Sequence, residues 1–323
     1  MRADPGTAAG GFRPGTAAGE FRHLAFFYQA AADYLTMVRA WIQDALAQDE
    51  PVLVAVPGSV AAQLREQLDG ESADVQFTDM DELGRNPARI ISAFIGFAAE
   101  HAGRQVRCIS EPVWSSRSAA ERREAARHEA LINVALANIQ ATVLCPYNTQ
   151  ALRPSVIAGA RRTHPAIVRD GTQRESRGYP GTARARSAWD RPLPPPPRRA
   201  ESLIYDNDLR ALREFVARQA RRCGLAADRT ADLVLSVSEV AANTLRHTRQ
   251  PGTVRTWHTQ AEFLCQVTDR GQITDPLVGL RPPSPSRLGG QGLWVVNKVC
   301  DLVELRTGQD GTTIRLHMRR PAG

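Results

Sequence analysis

Apolar residues recur at helical spacing between positions 31 and 47 (Tyr34, Leu35, Val38, Ile42, Leu46), and the unbroken run Val52, Leu53, Val54, Ala55, Val56 follows. That order predicts a helix feeding a strand buried on both faces. Pro57, Gly58 and Ser59 make a turn and residues 60–68 return to helical spacing. Val75 and Phe77 then mark a short strand before another helix starts at Asn86. A strand at 106–110, a helix over 119–138 and a strand at 142–145 continue the alternation, which predicts an α/β domain on a mostly parallel sheet.

Beyond position 200 the rhythm changes. Leu209, Leu212, Phe215, Val216 and Ala220 form one stripe of a helix over 208–222, with an acidic cap before it and Gly224 just past its end. A second helix after Asp228 carries Leu233, Val237, Val240, Ala241 and Thr244 on one face. Strands are predicted at 254–259 and, from the alternation of Phe263, Cys265 and Val267, up to Asp269. A proline-rich loop over 273–288 closes with Gly289-Gly290-Gln291-Gly292, an apolar helix covers 293–300, and strands at 302–306 and 312–318 join through the hairpin signal Gly308-Gln309-Asp310-Gly311.

The 323 residues, 42% of them apolar, are enough for two cores. Residues 169–199 hold eight arginines against Asp170, Glu175 and Asp190, four consecutive prolines and no regular period. This segment reads as a linker and carries most of the formal net charge of +7. It lacks the stacking aromatics or reading helix that base contacts need, so a solvated tether is expected rather than direct nucleic-acid contact. The first 22 residues repeat GTAAGGFRP as GTAAGEFRH and read as a disordered lead. The expected organisation is a lead over 1–22, a first domain over 23–168, a linker over 169–200 and a second domain over 201–323. The longest apolar run, 90–99, falls well short of the roughly 18 residues of a membrane span, so a soluble, cytoplasmic protein with no membrane contact is expected. The five cysteines are scattered without a Cys-x-x-Cys pair, which suits reduced thiols, and no structural metal is expected. Only one of the 41 Lys and Arg residues is lysine, Lys298. The turn after the first buried strand, Val56-Pro57-Gly58-Ser59-Val60, lacks the Gly-Lys-Ser/Thr of a phosphate loop, so this first sheet is not expected to hydrolyse nucleotide.

Several residues of the first domain form a pattern: His23 and Tyr28, then Glu111-Pro112-Val113-Trp114, Glu129, Cys145-Pro146-Tyr147-Asn148 and Thr163-His164-Pro165. In these the segment resembles the MEDS sensory domain. The resemblance implies a RecA-like fold without a working phosphate loop and a small sensed ligand. Glu111, Trp114 and Tyr147 follow strand ends, where open α/β sheets place ligands, and are the candidate contacts. For Trp114 and Tyr147 packing with a polar handle is the alternative. For Cys145 the alternatives are an inert buried thiol and a reactive one, which would need a cationic or helix-terminal setting.

In the second domain Glu239 and Asn243 stand four apart on a helix and share one face. An amide oxygen is a hard ligand suited to Mg²⁺, and a carboxylate one turn away can deprotonate an attacking hydroxyl. Asp269-Arg270-Gly271 ends a strand, where a carboxylate can accept the exocyclic amine of adenine and glycine lets the base approach the backbone. The glycines up to Gly292 open a helix whose N–H groups and dipole can hold phosphates without lysine, and Thr313 is expected near the adenine side of the sheet. His247, in the same helix as Asn243, reads as a helix C-terminal or core histidine beside the alternative of a catalyst.

In order, these boxes resemble the GHKL ATPase superfamily (the Bergerat α/β sandwich), most closely the bacterial anti-sigma factor serine kinases. The resemblance implies Glu239 as catalytic base, Asn243 as magnesium ligand, and Asp269, Gly271, Gly290, Gly292, Leu293 and Thr313 at the bound ATP. It further implies a sigma factor and a STAS-type antagonist as partners, and a homodimer through this domain. Ile273 stands where the family's Asp-x-Gly-x-Gly has its second glycine. The expected function is sequestration of a sigma factor with phosphorylation of a serine on its antagonist, modulated by the first domain. The alternatives are a non-catalytic, nucleotide-regulated sigma-binding module and a sensor histidine kinase. The last would need a helical hairpin bearing a phosphoacceptor histidine where the linker stands.

Overall fold

The computed structural model describes residues 20–68, 70, 74–169, 171–283 and 291–320. The duplicated lead up to residue 19, Asp170 of the linker, the end of the proline-rich loop and the glycines at 289 and 290 lie outside them. The chain divides into two compact units, one of residues 1–82, 97–117 and 136–185, the other of residues 83–96, 118–135 and 186–323.

In chain order the elements begin with β1 (Arg22–Tyr28), α1 (Ala31–Ala47), β2 (Val52–Val56), α2 (Gly58–Leu68), β3 (Val75–Asp79), α3 (Met80–Leu83) and α4 (Ala88–Glu100). They continue with β4 (Val106–Ser110), α5 (Ala119–Ala135), β5 (Ala141–Asn148), α6 (Pro154–Thr163), β6 (Ala166–Arg169), β7 (Thr172–Glu175) and α7 (Thr182–Ser187). The last part comprises β8 (Glu201–Tyr205), α8 (Leu209–Arg222), α9 (Ala227–Thr248), β9 (Gly252–His258), β10 (Glu262–Asp269), α10 (Gly292–Val299), β11 (Leu302–Gly308) and β12 (Gly311–Arg319).

The first unit is built on a seven-stranded sheet in the order β3-β2-β4-β5-β1-β6-β7. Every neighbouring pair is parallel except β6 with β7, which gives an α/β architecture on a mostly parallel sheet. β2 is buried along its whole length, as a parallel strand covered on both faces must be. Val38, Trp41 and Ile42 of α1 and Leu64 of α2 pack on Val54, Ile109 and Leu144. β1 was not expected as a strand, yet it lies between β5 and β6, with Leu24, Ala25 and Phe26 buried. The linker expected to be irregular contains β7 and α7. Its strand is polar and mostly exposed, so hydrophobic alternation cannot announce it. It exists because Gly171, at φ 69°, turns the chain back to pair with β6.

The second unit holds a five-stranded antiparallel sheet in the order β11-β12-β10-β9-β8, the α+β arrangement of a GHKL domain. Its apolar face carries Phe263, Cys265 and Val267 of β10 and Ile314, Leu316 and Met318 of β12. Leu212 and Val216 of α8, Val237 and Val240 of α9 and Val296 of α10 complete that core. α8 is capped by Asp208, whose Oδ1 accepts from the Arg210 and Ala211 N–H groups. By strand alternation the other face shows Glu304, Arg306, Arg315 and His317, all buried. Their charges are paired: Glu304 with His317 Nε2 at 3.1 Å and Arg123 at 2.9 Å, and Arg306 with Glu124 at 2.5 Å. Unpaired, charges this deep would cost several kcal/mol each.

Candidate functional site

Four segments meet at one end of the second unit's sheet. The C-terminal turns of α9, the stretch from the end of β10 to the loop after it, the start of α10 and the start of β12 line a cavity of about 450 Å³. Asn243, Asp269, Gly271 and Leu293 border it together with Thr244, Ile273 and Thr312. Four expected site residues, from three stretches of chain more than 20 positions apart, therefore converge. His247, exposed in the last turn of α9, borders the same cavity.

Asp269 is held before any ligand arrives. Thr244 Oγ1 donates to its Oδ2 at 2.6 Å and the Gly271 N–H donates to its Oδ1 at 2.7 Å. Thr244 Oγ1 accepts in turn from the Tyr205 hydroxyl at 3.0 Å, and burial pushes that phenol up to about 12. Each carboxylate oxygen still has a lone pair to offer a donor entering the cavity. Gly271 is needed at this turn: a Cβ there would stand 2.7 Å from Thr248 Cγ2 and 3.0 Å from Asp269 Oδ1.

Glu239 and Asn243 occupy successive turns of α9, both half-buried. The Glu239 carboxylate reaches the start of α10, where a Cβ on Gly292 would meet its Oε2 at 2.5 Å. Acid and helix start are thus in contact, the arrangement the positive end of a helix dipole favours. Asn243 and Glu239 are hard oxygen donors, and Asn243 faces the cavity, so the residues present fit a magnesium-nucleotide complex. Gly290 lies outside the described residues.

Thr313 is placed elsewhere. It pairs with Thr268 and Arg306 and borders a different hollow, of about 190 Å³, with Gln266 and Arg306. Its neighbour Thr312 faces the cavity instead, because adjacent strand residues point to opposite faces. Thr312 Oγ1 donates to the Gly271 carbonyl at 2.8 Å, and the Ile273 N–H donates to Thr307 Oγ1 at 3.0 Å. The loop after Asp269 is thereby tied to the β11–β12 hairpin, and Ile273 packs on the core where the resembling family has a glycine. Thr244, Thr312 and Tyr205 were not singled out from the sequence. The Thr244 side chain, one position past Asn243 on the apolar stripe of α9, was the available signal.

In the first unit, the Tyr28 hydroxyl donates to Glu111 Oε1 at 3.3 Å, and burial pushes the Glu111 carboxyl up to about 7. Trp114 carries the Arg117 guanidinium 3.8 Å above its ring. Tyr147 lies within β5, fully buried, with its ring 5.8 Å from that of Phe27 and 5.6 Å, edge-on, from that of His164. Tyr28 pairs with Asn148, so Tyr147 stands on the opposite sheet face from Tyr28, to which Glu111 bonds. The three sensory candidates therefore do not share one partner set. Among the described residues no helix is long and apolar enough to cross a membrane.

Residues 22–165 match the family model of the MEDS domain, described as the MEthanogen/methylotroph, DcmR Sensory domain. Residues 205–318 match that of the histidine kinase-like ATPase domain. The chain thus joins a MEDS domain to a histidine kinase-like ATPase domain. Among solved structures it is similar to the RsbU and RsbW domains of a protein from Mycobacterium tuberculosis, at 21% identity and a TM-score of 0.29 over 38% of this chain. The chain spans 34% of the length of that one. A second similarity is to a solved ATPase domain, at 11% identity and a TM-score of 0.31, covering 47% of this chain and 70% of the other. No curated protein matches the chain.

Proposed function

We propose that the second unit binds ATP with Mg²⁺ and acts as an anti-sigma serine kinase: it holds a sigma factor and phosphorylates a serine of a STAS-type antagonist. The observation that carries this is the cavity in which Asn243, Asp269, Gly271 and Leu293 meet, with Glu239 one turn from Asn243 against the start of α10. On this reading Asp269 accepts the exocyclic amine of adenine, and backbone N–H groups at the start of α10 hold phosphate, so no lysine is required. Glu239 accepts the proton of the attacking serine hydroxyl. Asn243 would hold Mg²⁺, which when bound supplies charge neutralisation at the phosphates. A phosphate on the antagonist adds about two negative charges, which breaks its packing on the kinase and frees the kinase for the sigma factor. The MEDS unit supplies control through a small ligand, and the working location is the cytoplasm.

The test is transfer from labelled ATP to a cognate antagonist with Mg²⁺ present. Label on the antagonist that Glu239→Ala abolishes is expected. Tight sigma binding without any transfer by the wild-type protein would contradict the kinase reading. A specific observation favours that second reading, a non-catalytic sigma-binding module: Ile273 and Gly271 are stapled to the β11–β12 hairpin, which stiffens a loop the resembling family keeps mobile with glycine.

A further inference from the structure

The first unit brings together side chains with no part in the nucleotide site. β1 and β5 are parallel neighbours with His23 beside Val143 and Ala25 beside Cys145, so period two puts His23 and Cys145 on one face of the sheet. α6 ends at Thr163 and sets His164 at its C-cap, where the imidazole comes over that same face. The His23 and His164 ring centroids are 3.9 Å apart, and His23 Nε2 lies 3.4 Å from Cys145 Sγ. All three side chains are at most 1% exposed.

We propose that His23, Cys145 and His164 bind a divalent d-block cation of the Zn²⁺ class, with at least these three protein donors. Their ligand atoms lie within 4.8 Å of one another. In a tetrahedral zinc site, with Zn–S near 2.3 Å and Zn–N near 2.0 Å, neighbouring donors stand roughly 3.3 to 3.6 Å apart. The His23–Cys145 pair already has that spacing, and side-chain adjustments of about 1 Å bring in the third donor. Two imidazoles and a thiol form a borderline-soft set that selects Zn²⁺, Co²⁺ or Cu over Mg²⁺ or Ca²⁺. His164 is also oriented as ligating histidines are. Its Nδ1 lies 2.8 Å from the Ala160 carbonyl oxygen, which can only accept, so Nδ1 carries the proton and Nε2 the lone pair. Sequence spacing gave no hint, since no two of the three lie within 15 positions of each other. Binding releases the thiol proton, so affinity rises with pH.

The experiment uses the full-length protein, stripped with a chelator and titrated with Co²⁺. One equivalent is expected to bind, with a thiolate-to-cobalt charge-transfer band and the visible bands of tetrahedral cobalt, all displaced by Zn²⁺. Cys145→Ser removes the charge-transfer band, and His164→Ala weakens zinc binding by about a hundredfold, at or beyond the top of the range for losing an outer partner of a ligand. Cys108→Ser, at a buried thiol of β4 outside the cluster, leaves the spectrum intact. Should Cys145→Ser fail to fold, His23→Gln serves in its place and must weaken binding at unchanged circular dichroism. A stripped wild-type protein that takes up neither ion, a cobalt spectrum without the thiolate band, or a band that survives Cys145→Ser overturns the proposal.

Discussion

Thr244 occupies the junction on which the proposed nucleotide site depends. Fully buried on α9, its one hydroxyl accepts from Tyr205 at 3.0 Å and donates to Asp269 at 2.6 Å. Thr244→Val keeps the shape and removes both bonds. A bond to a charged acceptor contributes about 1.5 to 3 kcal/mol, and a buried hydroxyl left without an acceptor costs about 1 to 3 kcal/mol. Asp269 borders the cavity, where water can replace part of the first, and the two bonds share one oxygen, so they do not add. The net expectation is a loss of about 2 kcal/mol, which at a urea slope of about 2 kcal/mol per molar lowers the midpoint by about 1 M. Asp269 would then keep only the Gly271 N–H and turn away from its reading position. ATP affinity is expected to fall about tenfold, or about 1.4 kcal/mol. Tyr205→Phe is the control: it leaves the Thr244–Asp269 bond in place and should leave ATP affinity unchanged. Urea unfolding by fluorescence and calorimetric ATP titration measure the two effects. A Thr244→Val protein within about 0.5 kcal/mol of wild type, binding ATP equally well, would refute the reasoning.

Gly292→Ala places a methyl against Glu239 Oε2, so the carboxylate must swing aside; circular dichroism should be unchanged while phosphate transfer falls at least about tenfold, and an active variant would remove Glu239 from the reaction. Burial alone would lower His317, but its bonds to Glu262 and Glu304 raise it to about 9, while those from His317 and Arg123 hold Glu304 down to about 2 against its own burial. A raised histidine stabilises fully below its unfolded value of about 6.5 and loses this as pH rises through 9. The depressed glutamate stabilises above about 4.5 and loses this as pH falls through 2. Stability of the second unit, followed by urea midpoints against pH, should therefore peak between about pH 4.5 and 6.5 and drop by up to about 3 kcal/mol toward pH 9.5. His317→Asn should flatten that alkaline limb, and an unchanged slope would count against the pairing. Glu111 works in the opposite sense: burial raises it to about 7, so its cost is absent below about pH 4.5 and grows as pH rises through 7. Glu111→Gln is accordingly expected to stabilise the protein by about 1 to 3 kcal/mol at pH 8 and to leave it unchanged near pH 4; a destabilised variant at pH 8 would show that the carboxylate is satisfied.

Where apolar periodicity was strong, the sequence was readable. β2, α8, α9 and β10 lie close to the positions that their aliphatic residues predict, because an unbroken apolar run marks β2 and one apolar stripe or face marks each of the others. β1, β7 and β8 were not readable for opposite reasons. The apolar run of β1 abuts the glycine-rich lead without a turn signal, whereas β7 and β8 are exposed edge strands defined by backbone pairing. At the site, Asn243, Asp269 and Gly271 were visible as box residues, and helix or strand geometry carries each to the cavity. Thr313 borders a different hollow and Thr312 faces the cavity, since box spacing along a strand does not fix which face a side chain takes. The His23–Cys145–His164 cluster depends on which strands are neighbours in the sheet, which single-sequence spacing does not encode.

The central claim is that the second unit's cavity is an adenine-nucleotide site read by Asp269 and completed by Asn243. Titration calorimetry of the full-length protein with ATP tests it most directly. The account predicts saturable binding that tightens with Mg²⁺, loses that magnesium dependence in Asn243→Ala and is lost in Asp269→Ala. No heat of binding up to about 1 mM ATP, equivalent to less than about 4 kcal/mol of affinity, or binding that survives Asp269→Ala unchanged, would contradict it.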